Sequence, residues 1–98
     1  FYQLDYRALL IKTFYEKGEI DPLYSLFDSF YVYLRRNKLL SEYHRTSYAN
    51  FLKFVKKILR LKLSPNKKVQ LLKDQINASK PVANATWLFK KLDEIDQL

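Results

Sequence analysis

No stretch of this chain alternates apolar with polar residues, and its helix breakers all stand between segments rather than inside them. The sole glycine, Gly18, and the prolines Pro22, Pro65 and Pro81 divide the sequence into runs whose apolar residues recur every three or four positions. That spacing places apolar side chains on one face of an α-helix and is incompatible with a half-buried strand. The predicted fold is therefore all-α: five helices with short links, arranged as an antiparallel bundle-like or helical-repeat array. The 98 residues are read as one domain spanning 1–98.

The first helix is predicted from Tyr6 to Lys17. Asp5 would be its cap, Leu9, Leu10, Phe14 and Tyr6 its apolar stripe, and Gly18 its terminator. Asp21-Pro22 signals a second helix, PLYSLFDSFYVYLRR, with Leu23, Leu26, Phe27, Phe30 and Leu34 inward. These two helices form an expected hairpin over 4–38. From 41 to 98 the reading is one long helix capped by Ser41, followed by two shorter ones. Ser64-Pro65 would open the fourth helix, with Val69, Leu72 and Ile76 inward, and Asn84 would cap the fifth, with Leu88, Leu92 and Ile95 inward.

The long helix contains RTSYANFLKFVKKILRLKL, which is both oily and basic. With Arg45 at zero, Lys56, Arg60, Lys53 and Lys57 fall at about 20, 60, 80 and 120° on an ideal helix. Leu52, Leu59, Tyr48, Val55, Phe51 and Ile58 fill the arc from about 340 down to 220°. Between positions 35 and 68 there are eleven Lys or Arg residues and one acid, Glu42, so the net charge of +8 is concentrated there. Arg45, Lys53, Lys56, Lys57 and Arg60 are thus the candidate surface for an anion or a partner.

The aromatic content, eight Tyr, seven Phe and one Trp, is a second source of candidates. Tyr24, Tyr31, Tyr33 and Trp87 flank the apolar stripes, where a ring can pack inward or face a partner. Of Tyr31 and Tyr33, one is expected to be exposed, or else covered by further chain of the longer protein. Trp87 is read as a plug closing the last helix against the third.

Catalytic and metal chemistry find little purchase. There is no Cys and one His, His44, which falls among the oily positions of the long helix with no Ser, Cys or acid at a telling spacing. No metal, cofactor or catalytic residue is assigned. Asn77-Ala78-Ser79 and Asn84-Ala85-Thr86 fit the glycosylation pattern, which is short and common by chance. No apolar run approaches a membrane span. The chain opens on Phe rather than Met, and is read as a fragment of a longer chain.

Within LLIKTFYEKGEIDPLYSLFDSF, Leu10, Phe14, Gly18, Leu23, Phe27 and Phe30 keep the order of a degenerate tetratricopeptide repeat, which this segment resembles. Leu23 and Phe30 are larger than the small side chains of that family. DSFYVYLRRNKLLSEYHRTSYANFLKF and WLFKKLDEI are similar to the C-terminal end of large helical proteins of Bacteroidota bacteria. These resemblances imply a cytoplasmic bacterial helical-repeat protein, here the end of a truncated α-solenoid whose residues 41–98 form an atypical cap. The implied role is a non-enzymatic scaffold or protein-interaction module. Its partner would be another protein or preceding helices of the same chain. KLLSEYHRTSYANFLKFVKK is also similar to the DNA-clasping helical domain of tyrosine recombinases, through Ser41, Tyr48 and Phe51. That implies the alternative, a nucleic-acid-binding domain using the basic face of residues 45–60.

Overall fold

The computed structural model describes residues 2–97, so Phe1 and Leu98, the ends of the expected domain, lie outside the described residues. The described chain is all-α, with five helices and no strand: α1 (Tyr2–Lys17), α2 (Ile20–Arg36), α3 (Glu42–Leu63), α4 (Val69–Ala78) and α5 (Ala85–Asp96). It forms two compact units, one up to Ser41 and one from Glu42 onward.

In the first unit α1 and α2 pack together as a hairpin. The turn rests on Gly18, whose φ is +70°. Its N–H donates to the Tyr15 carbonyl and that of Glu19 to the Phe14 carbonyl, both at 3.1 Å. These paired bonds satisfy two carbonyls that the helix end would otherwise leave open. α2 starts one residue earlier than Asp21, with Glu19 at the cap position and no side-chain hydrogen bond there. Pro22 falls in the first turn, where its missing N–H has no intrahelical acceptor to lose, and Leu23 N–H makes the bond to Glu19 at 3.2 Å.

Two expectations for α1 are corrected. The helix begins by Tyr2, so Asp5 lies inside its first turn rather than capping it. Its buried stripe is Leu4, Ala8, Ile11 and Tyr15, whereas Leu9 and Tyr6 are exposed and Leu10 and Phe14 half-buried. Both sets obey helical spacing; α1 is apolar on two faces, and α2 covers one of them. On α2 the expected Leu23, Phe27, Phe30 and Leu34 are buried, and Leu26 is half-buried.

The second unit is organised by α3. Phe51, Leu52, Phe54, Val55, Ile58 and Leu59 are all buried along it, as is Ser47. α5 packs on both α3 and α4, and its Leu88, Leu92 and Ile95 are buried. The connection before α5 is fastened to α3 by polar bonds. Asn50 Nδ2 donates to the carbonyls of Ser79 and Pro81, each at 3.0 Å. Ala83 N–H donates to the Ser47 carbonyl at 3.0 Å.

Two helix starts differ from the sequence reading. α4 begins at Val69, not at Ser64-Pro65. Ser64 instead holds a local turn, its hydroxyl accepting from Asn66 N–H at 3.2 Å; a side chain that satisfies its neighbour's amide in a turn competes with helix initiation. Asn84 does precede α5, but its side chain makes no cap bond. Its φ of 57° places it in the left-handed region, which Asn tolerates better than most residues.

Lys91 is only 5% exposed. Its stem is buried on α5, and its ammonium reaches both oxygens of Glu94, at 3.2 and 3.0 Å. The Trp87 ring lies 5.5 Å away. A carboxylate one turn on and an aromatic face one turn back let a cation sit at a packed position.

Nothing lies within 4 Å of a Cβ built on Gly18, so a substitution there meets only backbone strain. Gly18→Ala is expected to lower unfolding stability by about 1 kcal/mol, and Gly18→Asn by less. Urea denaturation of the three proteins checks this. Equal stabilities would mean that the left-handed turn does not hold the hairpin.

Candidate functional site

The five basic residues singled out in the sequence all lie on α3, but in different surroundings. Arg45 is held by Glu42 three residues earlier, with Nε 3.3 Å from the carboxylate. Lys53 and Lys57 bracket Phe54, their ammonium groups 4.9 and 5.7 Å from its ring centre. Lys57 also donates to Gln75 Oε1 on α4 at 3.2 Å. Lys56 is half-buried and Arg60 exposed. A neutral amide and an aromatic face position the lysines without cancelling their charge, so most of the stripe stays positive. Arg60 and Lys57 also line an open groove of about 290 Å³ with Lys68, over Leu61, Leu71 and Leu72.

The aromatic candidates are dispersed. Tyr24 is 40% exposed and meets Phe27 edge-on at 5.2 Å. Trp87 is half-buried against Phe51 of α3, with ring centres 6.1 Å apart. Tyr31 and Tyr33 are both half-buried, so neither is fully exposed. His44 packs beside Tyr43 and lines a shallow groove with Ser47, Tyr48 and Asn84. Among the described residues no group of three or more His, Cys, Asp or Glu side chains is placed to hold a metal. Nor is any helix among them long and apolar enough to cross a membrane.

The structure also assembles a cluster that the sequence reading passed over. Between α1 and α2 an open groove of about 560 Å³ is lined by Arg7, Ser29, Val32, Tyr33, Arg36 and Asn37. The Arg7 guanidinium carbon lies 4.3 Å from the centre of the Tyr33 ring. Asn37 Nδ2 donates to the Tyr33 hydroxyl at 2.9 Å, fixing that ring from its far end. Arg7 Nε is buried without a hydrogen-bond acceptor. The clue in the sequence was the spacing of Tyr33, Arg36 and Asn37 across one turn of α2, a minor signal beside the basic run that follows.

A second row is exposed on α1. Tyr2, Tyr6 and Leu9 are 76, 46 and 57% exposed. The two tyrosine rings stack at 6.1 Å with planes 13° apart. On an ideal helix these three lie about 140–200° around from Leu4, opposite the buried stripe.

Burial raises the Tyr31 phenol above its ordinary value, because the charged phenolate is the costlier form away from water. In the alkaline range the unfolded chain therefore loses this proton first, and stability falls as pH rises through the native value. Tyr31→Phe is expected to flatten the decline above about pH 10, the ordinary tyrosine value. Denaturation curves from pH 8 upward check it; identical slopes for both proteins would refute it. Comparison with family models, curated proteins and solved structures finds no match to this chain.

Proposed function

We propose that this chain is a non-enzymatic interaction module whose docking face is the outer row of α1. The carrying observation is the pair of opposed apolar faces on that helix: Leu4, Ala8, Ile11 and Tyr15 buried, and Tyr2, Tyr6 and Leu9 open to water. A helix with both faces apolar is stable in water only at the cost of leaving one wet, and a second helix laid along it relieves that cost. The occupant that fits is an amphipathic helix presenting apolar anchors at three- and four-residue spacing, the common way of filling such a face. The tetratricopeptide-like order of Leu10, Phe14, Gly18 and Phe27 supports the same reading, since units of that kind stack helix on helix.

A library of displayed amphipathic helices, selected against the wild-type chain, tests the proposal. Enriched sequences are expected to carry that spacing and to lose at least about tenfold in affinity for Tyr6→Glu/Leu9→Glu, because a charge would be buried without a partner. Stability should change by no more than about 0.5 kcal/mol, the usual effect at exposed positions. No enrichment, or binding indifferent to the substitutions, would reject it.

The alternative, nucleic-acid binding by α3, is favoured by one observation: Lys53, Lys57 and Arg60 make no ion pair among the described residues. If phosphates are the counterpart, duplex affinity falls with salt at a slope of about 0.9 per neutralised phosphate. Changing Lys53, Lys56, Lys57 and Arg60 to Gln together should then reduce that slope by about 3–4. A slope unmoved by the four substitutions would dismiss the basic face as the contact.

A further inference from the structure

We infer that the Arg7–Tyr33–Arg36 groove of the α1–α2 hairpin is an oxyanion site that takes the dianionic phosphate of a phosphomonoester.

Arg7 lies partly out of water, its Nε buried and lacking an acceptor. Guanidinium groups in such positions ordinarily meet a carboxylate, since a buried donor left unpaired is destabilising. No Asp or Glu lines this groove. Neither Arg7 nor Arg36 makes an ion pair among the described residues. What holds Arg7 is the Tyr33 face, 4.3 Å from the guanidinium carbon. Stacking on a ring fixes the plane of the guanidinium but leaves its edge donors unused. Tyr33 is itself fixed by Asn37 at 2.9 Å. The arrangement is a pre-oriented donor fork, with a second fork, Arg36, on the exposed rim.

The choice of phosphate follows from charge and geometry. Two guanidinium groups without an acidic neighbour call for about two negative charges, which a phosphomonoester carries near neutral pH. Its several acceptor oxygens can engage two forks at once, as a single carboxylate does less well. The groove is open to solvent, so the group that bears the phosphate can extend outward past Val32. The groove belongs to the hairpin and does not depend on the α1 docking face.

The test is a titration of the full chain, uniformly labelled with ¹⁵N, followed through the Arg7 Nε–H resonance at low ionic strength. Inorganic phosphate is expected to shift that resonance along a single-site curve, at least about tenfold tighter than acetate. Arg36→Gln, at an exposed position that leaves the fold intact, should weaken binding at least about tenfold, the loss expected for a charge-assisted pair. Arg7→Lys, followed on neighbouring backbone amides, should weaken it too, because the charge remains and the fork does not. Lys53→Gln/Lys57→Gln should leave it unchanged. A nucleoside 5′-monophosphate and a phosphoserine peptide then separate two sources of the same group; each should move the Arg7 resonance, and the tighter names the source. An unmoved Arg7 resonance, acetate binding as well as phosphate, unchanged affinity in Arg36→Gln, or equal loss in the lysine variant would overturn the assignment.

Discussion

The width of the apolar arc on α3 governs the second unit. From Phe54 through Ile58, Phe51 and Val55 to Leu52, buried residues span about 160° of an ideal helix. One neighbour covers less than that, so the helix needs cover on two flanks. α5 supplies part of it and also packs on α4. The polar bonds from Asn50 and the Ser47 carbonyl then fasten the incoming connection to the same helix. Each consequence begins with side chains that cannot be left in water at about 1.5–3 kcal/mol apiece.

The same arc accounts for the charge pattern. Once about half of the circumference is reserved for packing, the Lys and Arg residues of α3 from Arg45 to Arg60 are confined to the remainder, and only Lys62, in the exposed last turn, falls within the apolar arc. A stripe arises whether or not anything binds it. Phe54 shows the boundary at work: the ring is buried, while Lys53 and Lys57 fold over it from the wet side. The stripe is therefore poor evidence of function, because packing alone would produce it. The open row on α1 differs in kind, since packing within the hairpin gives no reason for Tyr2, Tyr6 and Leu9 to be apolar.

Legibility in the sequence followed the strength of competing patterns. α2 and α3 each carry one dominant stripe, and Phe27, Phe30, Phe51, Val55 and Ile58 could be assigned inward from spacing alone. α1 carries two, and spacing cannot choose between Leu9–Leu10–Phe14 and Leu4–Ala8–Ile11–Tyr15; only the position of α2 decides. The Ser64-Pro65 signal misled because a serine hydroxyl serves a turn as readily as a helix cap. Asn84 stood at the right place for another reason, its tolerance of positive φ. Arg7 could not be read at all, because its meaning depends on a ring 26 positions away that only the hairpin brings near.

Lys91 and Arg7 are two answers to one problem, a cation drawn into a packed surface. Both lie against an aromatic ring, Trp87 for the lysine and Tyr33 for the arginine. Lys91 is completed locally: Glu94 stands one turn away and takes its ammonium, so the fold leaves nothing for an outside group to supply. Arg7 has the ring but no carboxylate, and a buried N–H with no acceptor. A chain able to provide Glu94 for one cation meets no steric bar to an acid beside the other, in an open groove bordered by Ser29 and Asn37. The missing counter-charge is thus a property of that groove rather than of the fold, and a phosphate supplies what Glu94 supplies to Lys91.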